Sequence, residues 1–320
     1  MNVIINKEIK IGHLSTSYHT NWILMGNDEL EKSLKMKVKW ELFGTGPLMV
    51  EAFKNGELDI GYMGLPPALI GIDNGVPIKC VAGGHVEGTI MIGKRRHHKT
   101  ISQLNGDMYE VLAQFKGSTI GTPSVGSIHD AILNYYLENH NLKDEIKVKN
   151  YKQAEYIAVD MEKGLLEGGV GTPALAVFAK TIMDSHLIIP ANHLIANNPS
   201  YGIFFHENLI KNSPDLVLRF LEHHKKACYL LRNSQDEAAE IISKTLTILN
   251  NNKDYAKAVL EISPKYCIAL SEGYLRSTEG FVNTMYRLGY IKEKLSNERI
   301  YNFDFVNQVH PEEEHYSHGD

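Results

Sequence analysis

The chain has 320 residues, enough to bury a core and to form two domains of ordinary size. Hydrophobic residues make up 43% and charged residues 22%, and no apolar run reaches 18 residues, so neither disorder nor a transmembrane helix is expected. The formal net charge is −5, and the basic clusters are limited to 94–96 and 225–226. Binding to nucleic acid is therefore not expected.

The N-terminal sequence, from Met1 to Lys10, runs straight into a strand-like segment. It has no basic region, apolar stretch or small-residue cleavage site of a secretion signal. Two expectations follow. Either the mature protein is extracytoplasmic and membrane-associated, with its signal or lipid anchor absent from this sequence, or it is cytoplasmic and Met1 is its native start.

The three cysteines, Cys80, Cys228 and Cys267, are widely spaced and odd in number. This argues against a disulfide framework and against a CxxC metal knuckle. Free cysteines usually behave as small buried hydrophobes, so we expect three buried, unreactive thiols.

Strand-like and helical segments alternate over the first two hundred residues, which predicts βαβ units on mostly parallel sheets and hence an α/β fold. Strands are predicted at 9–14, 37–43, 59–63, 78–82, 89–93, 119–121, 146–150, 169–171 and 187–189. Helices are predicted at 22–34, 47–55, 102–115 and 128–139, and from residues 66, 161 and 174 onward.

The pattern changes at Ser213, after which almost the whole chain reads as helix. Helices are predicted at 213–231, 235–249, 254–262, 271–288 and 292–295, which together form a C-terminal helical extension. The tail from His310 to Asp320 is biased in composition and is predicted to be mobile. Its imidazoles and carboxylates are expected at most to capture a divalent ion adventitiously.

Three turns carry the chemistry, at 44–47, 64–67 and 122–127. In each, a strand ends in small or polar residues and a helix begins at once. Helix N-termini carry partial positive charge and free N–H donors, and in open α/β sheets they lie where ligands bind. One such turn alone is ordinary loop punctuation. Three of them together predict a site for an anion or a polar solute.

The same stretches resemble a known family, the type II periplasmic-binding-protein-like solute receptors of the nitrate, sulfonate, taurine and thiamine-precursor branch. Residues 44–69 are similar to that family's small-residue turn, helix ending "ALxxGxxD" and following strand. Residues 116–127 look like its "kGkkvgvpxGS" segment. Residues 201–205 and 213–221 resemble its returning strand and the helix after it. The resemblance covers about residues 9–232.

The resemblance implies a solute-binding protein of an ABC importer that closes by a hinge on a small anionic or polar organic solute. Lobe 1 is expected to comprise residues 1–92 plus 201–320, with the C-terminal helices, and lobe 2 residues 93–200. Crossover strands are expected near 89–93 and 202–205. The expected partners are the solute and an ABC permease in the membrane. The protein is expected to be a monomer without catalysis or cofactor.

Carried onto this sequence, the family's ligand contacts fall at the ends of strands in both lobes. They are His13, Leu14, Ser15, Thr45, Gly46, Gly64, Leu65, Thr122, Gly126, Ser127 and Thr172. One departure concerns residues 171–173, where many relatives have a bulky stretch and this chain has Gly-Thr-Pro. The pocket is expected to be roomier there, or the ligand bulkier.

Histidine occurs fifteen times, and His13, His85 and His129 lie beside the predicted turns. A histidine there can donate to an anion, pair with a carboxyl group or bind a metal ion. We include all three as candidate ligand-binding residues. Metal binding needs three or four converging ligands, which no local spacing supplies, so no metal site is predicted.

The alternative function is a cytosolic enzyme on the same fold, similar to proteins of menaquinone or thiamine biosynthesis. Glu87 with His85 and His129 is the one acid–base grouping that the sequence suggests for it. No Gly-x-Ser-x-Gly elbow, Walker loop or Rossmann fingerprint occurs. Ser127 is better explained as a helix N-cap than as a nucleophile. No catalytic residue is therefore predicted.

Overall fold

The structure is a computed structural model and describes residues 8–316. Within these residues ten strands form two five-stranded sheets. The strands are β1 Glu8–His13, β2 Lys37–Leu42, β3 Ile60–Met63, β4 Ile78–Val86, β5 Ile90–Lys94, β6 Thr119–Pro123, β7 Lys147–Tyr151, β8 Gly168–Gly171, β9 Ser185–Ile189 and β10 Pro199–His206.

Helices cover both sheets and make up most of the C-terminal third. They are α1 Asn21–Met25, α2 Glu29–Leu34, α3 Gly46–Lys54, α4 Leu65–Asp73, α5 Met108–Ala113, α6 Ile128–Asn139, α7 Glu155–Glu162, α8 Pro173–Ile182, α9 Glu207–Asn212, α10 Pro214–Asn233, α11 Gln235–Thr245, α12 Lys253–Ile262, α13 Glu272–Arg287, α14 Asn297–Ile300 and α15 Asp304–Val309.

The first sheet has the strand order β2-β1-β3-β10-β4. β1 is parallel to β2 and β3, whereas β10 runs antiparallel to β3 and β4. Gly12 and Gly61 are paired across β1 and β3. A Cβ atom at Gly61 would lie 2.6 Å from Phe53, so glycine allows α3 to pack directly on the sheet.

The second sheet has the order β7-β6-β8-β5-β9, with β5 antiparallel to both of its neighbours. Both sheets are therefore mixed rather than mostly parallel, although the predicted α/β class is confirmed. The returning strands β5 and β10 each enter a sheet from the other half of the molecule. For this reason they run against the βαβ units around them.

The chain passes between the sheets at residues 87–89 and 190–198. We call residues 8–86 and 199–316 the first-sheet region and residues 90–189 the second-sheet region. The two connections lie a few residues before the strands expected to cross, since β5 belongs wholly to the second sheet and β10 to the first. The lobe boundaries at 92/93 and 200/201 stay a prediction.

Three segments differ from the predicted elements. The helix predicted at 22–34 is broken into α1 and α2 after Met25, and the Asn27 side chain accepts a hydrogen bond from the Glu29 amide at 3.0 Å at the start of α2. Gly26 packs against α11, where an added Cβ would lie 2.6 Å from Ile241. The helix predicted at 102–115 is reduced to a 3-10 turn and α5. Residues 292–295 are not helical, and α14 begins at Asn297 instead.

The C-terminal tail is packed as far as the structure describes it. Tyr316 is 1% exposed, and its hydroxyl donates to the carbonyls of Cys267 at 2.7 Å and Ala269 at 2.9 Å. The predicted mobility is therefore wrong for residues 310–316, and residues 317–320 lie outside the described part. All three cysteines are buried and unpaired with one another, as predicted.

Candidate functional site

Four of the predicted site residues cap helices that begin directly after strands, namely Thr45, Gly64, Ser127 and Thr172. All four have extended backbones. Among them, only Ser127 accepts a side-chain hydrogen bond from its own helix, from the Asp130 amide at 3.3 Å. Thus α3, α4 and α8 have no side-chain cap. Their first turns contain Pro47, Pro66, Pro67 and Pro173, which have no N–H, so only amides of the other residues in these turns can donate.

The turns of the two regions face each other closely. A Cβ atom at Gly64 would lie 3.6 Å from Ile128, and one at Gly126 would lie 3.1 Å from Ile70 in α4. Gly126 has a φ of +77°, which explains the glycine at this position. Gly46 lies against Pro67, so the turn at Thr45 joins the same group. In this conformation there is no room for a solute between Gly64 and Ile128 themselves.

His13 closes β1 and is 3% exposed. Its Nδ1 lies 3.1 Å from the Leu14 carbonyl and 3.3 Å from Asn21 Nδ2, and its ring meets Trp22 edge-on at 5.0 Å. Burial lowers the pKa of His13, so the ring is neutral at neutral pH. Leu14 is half-buried, and the third residue predicted here, Ser15, is exposed.

A buried group that the sequence reasoning missed follows His13 directly. Ser17 Oγ, His19 Nδ1 and Asn21 Oδ1 are buried without a hydrogen-bond partner. The His19 ring lies 4.1 Å from the ring of Tyr201 and 5.2 Å from that of Tyr18. Burial, and then repulsion from neighbouring histidines, holds the pKa of His19 well below its ordinary value. The density of His, Tyr and Asn just after the first strand was the available signal.

His85 lies inside β4 rather than on a turn. Its Nε2 is 2.7 Å from the Ser263 carbonyl, whereas its Nδ1 is buried without a partner. The ring stacks obliquely on Tyr18 at 4.8 Å, and burial lowers the pKa of His85 to about 4. His85 therefore joins the group around His19 as a neutral imidazole.

Glu87 occupies the first connection between the sheets with a φ of +59°. Its carboxylate pairs with Lys265 at 2.9 Å and accepts the Asn197 amide of the second connection at 3.0 Å. Glu87 thus joins the two connections to each other. The acid–base grouping of Glu87 with His85 and His129 does not form, because each group has a different partner.

Two further predicted residues come from the second-sheet region. Thr122, in β6, has a fully buried hydroxyl without a partner. His129, in α6, lies with Nδ1 2.9 Å from Thr89 Oγ1, at the end of the first connection. Burial lowers the pKa of His129 to about 4, so it too is a neutral hydrogen-bonding group.

The remaining predicted residues are less closely joined to this group. Leu65 is buried in the first turn of α4. Thr172 is half-buried at the start of α8, where Ala174 accepts a hydrogen bond from Tyr255 of α12 at 3.1 Å. The part of Thr172 in the site stays a prediction.

Two cavities lie outside the predicted site. One, of about 320 Å³, lies between α6, α13 and the second connection and includes Tyr135, Asn197 and Arg276. The other, of about 440 Å³, lies beside α15 and the tail and includes His310 and Glu314. No predicted ligand-binding residue lines either of these two cavities.

Two mixed sheets joined by two connections, with helix N-termini facing each other between them, define the type II periplasmic-binding-protein-like fold. The family model of the NMT1-like family matches residues 5–247, and the chain belongs to that family. A comparison with curated proteins gives no match.

Solved structures bear out the fold. The ligand-binding component of an ABC-type import system from Staphylococcus aureus, with zinc bound, is similar with a TM-score of 0.77, 15% identity, and coverage of 95% of this chain and 99% of that one. The periplasmic aliphatic sulphonate binding protein of Escherichia coli is similar with a TM-score of 0.76 and 16% identity, and the match covers 92% of each chain. The periplasmic nitrate-binding protein of Synechocystis is similar with a TM-score of 0.72 and 12% identity, and the match covers 94% of this chain and 88% of that one.

Proposed function

We propose that this protein is the ligand-binding component of an ABC importer, which holds a small anionic or polar organic solute between its two sheet regions. The observation that carries the proposal is the set of buried polar atoms without partners, on Ser17, His19, Asn21, His85 and Thr122. An unsatisfied buried polar group costs about 1–3 kcal/mol. A bound solute that satisfies several of them would recover much of that cost.

The chemistry of these groups indicates which solutes fit. The buried histidines are neutral because burial lowers their pKa, and the other donors are hydroxyls, amides and helix N-termini. The carboxylate nearest the first connection, that of Glu87, is already paired with Lys265. A monoanion or a neutral polar heterocycle suits such a site better than a dianion, which would need arginine or lysine contacts.

Binding by hinge closure is the mechanism we infer. The two regions touch through α4 and α6, through α6 and α13, and through α8 and α12. A solute that contacts both regions only when these contacts form shifts the population toward the closed state. The short connection around Glu87 is the part of the chain that would absorb the movement.

An ABC permease as partner, an extracytoplasmic position and a monomeric state complete the proposal. The sulphonate-binding and nitrate-binding proteins similar in structure are periplasmic by their descriptions. No helix in residues 8–316 has the length and apolar character needed to cross a membrane.

The enzyme alternative receives no support. His85 is bonded to the Ser263 carbonyl, Glu87 to Lys265 and His129 to Thr89, so the suggested acid–base group is distributed among structural partners. Of the similar structures reported above, one is described as the ligand-binding component of an ABC-type import system and two are described as periplasmic binding proteins.

A thermal-shift screen tests the proposal. Nitrate, bicarbonate, aliphatic sulfonates, taurine, aromatic acids and pyrimidine precursors are compared with buffer alone. A ligand that binds only the folded state stabilises it by about 2.7 kcal/mol at a hundred times its Kd, which raises Tm measurably. The expected result is a concentration-dependent rise for one class of these solutes and no rise for the others.

Variants then locate the hit. His19→Ala removes a buried ring nitrogen without a hydrogen-bond partner and should weaken binding at least about tenfold, equivalent to about 1.4 kcal/mol. His97→Ala is the matched control, because that side chain is 62% exposed. If neither His19→Ala nor His13→Ala changes the Kd while Arg276→Ala, in the separate cavity, abolishes binding, the proposed site is wrong.

A further inference from the structure

The last part of the chain brings together three metal-ligating side chains that lie far apart in sequence. Cys267 is in the segment between α12 and α13, where its amide donates to the Gly84 carbonyl of β4 at 3.3 Å. His310 directly follows α15, and His315 follows five residues later. Cys267 and His310 are buried and His315 is half-buried. The sequence predicted at most adventitious ion capture by the tail that contains His310 and His315, and it did not connect Cys267 with that tail.

Their ligand atoms form a compact triangle. Cys267 Sγ lies 3.2 Å from His310 Nε2 and 3.6 Å from His315 Nδ1, and the two nitrogens lie 3.3 Å apart. With Zn–S bonds of about 2.3 Å and Zn–N bonds of about 2.0–2.1 Å, a tetrahedral zinc ion places sulfur about 3.6 Å from nitrogen and two nitrogens about 3.4 Å apart. The triangle thus has the size of one face of a zinc site.

Groups around the triangle have the arrangement that supports metal ligands. Glu312 Oε2 lies 3.1 Å from His310 Nδ1, the ring nitrogen that does not face the thiol, at ion-pair distance but without hydrogen-bond geometry, and Glu312 is held by Lys225 at 2.7 Å. A carboxylate on the far nitrogen orients a histidine and raises its strength as a ligand. The Ala269 amide donates to Cys267 Sγ at 3.5 Å, which favours the thiolate.

The open side of the triangle leads to polar groups. The cavity of about 440 Å³ beside α15 is lined by His310 and by Glu312, Glu313 and Glu314. Glu314 directly precedes His315 in the chain. Its carboxylate or a water molecule from this cavity would complete a tetrahedral coordination shell.

We propose that Cys267, His310 and His315 form a structural zinc site that attaches the C-terminal tail to the rest of the first-sheet region. Thiolate and imidazole ligands in tetrahedral arrangement favour zinc over magnesium or calcium, which take oxygen ligands. The site would fix residues 310–316, including Tyr316, whose hydroxyl is buried against Gly83 and the carbonyls of Cys267 and Ala269. The free energy of metal binding would then add to the stability of the fold.

The test uses the full chain, reduced and stripped with a chelator, and titrated with Co²⁺ and then Zn²⁺. One equivalent of Co²⁺ should give a near-ultraviolet thiolate-to-metal charge-transfer band and intense visible bands of tetrahedral cobalt, both removed by one equivalent of Zn²⁺. Cys267→Ser should abolish the charge-transfer band. His315→Ala should weaken Zn²⁺ binding at least about 100-fold, and Glu312→Gln about tenfold or more.

Cys80→Ser is the matched control, because Cys80 is equally buried but not part of the triangle. Its charge-transfer band and Zn²⁺ affinity should equal those of the unchanged protein. Circular dichroism melting checks that each variant folds. If Cys267→Ser does not fold, alkylation of the unchanged protein provides the test instead. Zinc should then slow the alkylation of Cys267 but not that of the other two cysteines. Octahedral cobalt spectra, or Zn²⁺ binding that survives both Cys267→Ser and His315→Ala, would mean an adventitious ion only.

Discussion

The hydroxyl of Tyr290 donates a hydrogen bond to Asp130 Oδ2 at 3.0 Å and so joins the two sheet regions. Tyr290 follows α13 of the first-sheet region, and Asp130 lies in the first turn of α6 in the second. Asp130 is 1% exposed and also accepts the Gly126 amide at 3.0 Å. The hydrogen bond from Tyr290 therefore links the contact between the two sheet regions directly to the predicted ligand-binding turn at 122–127.

Replacing Tyr290 with Phe should favour the open state. Hydrogen bonds to charged groups contribute about 1.5–3 kcal/mol, and Asp130 keeps its other partners, so we expect a loss near the lower value. The Kd for the solute found by screening should rise about tenfold, because the bond forms only when the regions meet. Isothermal titration calorimetry measures the Kd, and X-ray scattering measures the compactness of the ligand-free protein.

Tyr286→Phe is the control, since that tyrosine is 47% exposed on α13. Its Kd and radius of gyration should match those of the unchanged protein. Equal affinities for Tyr290→Phe and the unchanged protein would show that this bond does not contribute to closure.

Much of the fold follows from the sequence, because the local signals and the tertiary contacts agree. α6, predicted at 128–139, has those limits, and the three turns form where glycine and proline follow a strand. The break between α1 and α2 was not predicted, and neither was the packing of Gly26 against Ile241 of α11, more than two hundred residues away in sequence. Periodicity within one segment contains no information about such a contact.

The candidate site was harder to predict for the same reason. His85 is predicted beside a site turn, but its surroundings are set by Ser263 and Tyr266, nearly two hundred residues away. The triangle of Cys267, His310 and His315 has no local motif that includes the thiol, since Cys267 lies 43 residues before His310 and 48 residues before His315. Only the folded chain brings these ligands together.

The buried histidines predict a dependence of stability on pH. Burial lowers the pKa of His85, His129 and His224 to about 4 in the folded protein, below the ordinary value of 6.5. Below pH 6.5 the unfolded chain therefore binds more protons than the folded one, so stability falls as the pH falls toward 4. Each residue contributes up to about 1.4 kcal/mol per pH unit in that range.

Urea unfolding at pH 7.5, 6.5, 5.5 and 4.5 measures this dependence. The free energy of unfolding should be nearly constant above pH 7 and should fall steeply below pH 6.5. His129→Gln should lower the slope of the unfolding free energy against pH by the contribution of about one proton. The substitution His97→Gln, at an exposed side chain, should leave this slope unchanged. The assignment fails if the free energy of unfolding is the same at pH 4.5 as at pH 6.5.

The ion pair of Glu87 and Lys265 should contribute to stability more than a surface pair. The Glu87 side chain is 4% exposed and that of Lys265 is 29% exposed. Lys265→Ala leaves a buried carboxylate with the Asn197 amide as its remaining hydrogen-bond donor in the described structure, at an expected cost of about 2 kcal/mol. Chemical denaturation measures the change.

Lys257→Ala provides the matched comparison, because its partner Asp236 is 70% exposed and the two lie 3.1 Å apart. Removing that pair should change the free energy of unfolding by no more than about 0.5 kcal/mol. Equal effects of the two substitutions would contradict the structural role that we assign to Glu87 at the connection between the sheets.

The facing turns predict a substitution that blocks closure without unfolding the protein. A Cβ atom at Gly64 would already be in ordinary contact, 3.6 Å from Ile128 and from the Ser200 carbonyl, so the methyl groups of Gly64→Val have no space when the regions meet. In the open state the contact with Ile128 is absent, whereas the contact with Ser200, which belongs to the same region as Gly64, remains. We expect at least a tenfold loss of solute affinity and no ligand-induced decrease in the radius of gyration.

Gly44→Val is the control, since a Cβ atom at Gly44 would have Leu48 as its nearest neighbour, at 4.0 Å, and this variant should close and bind normally. If Gly64→Val binds and closes as Gly44→Val does, the contact of α4 with α6 is not part of the closed state.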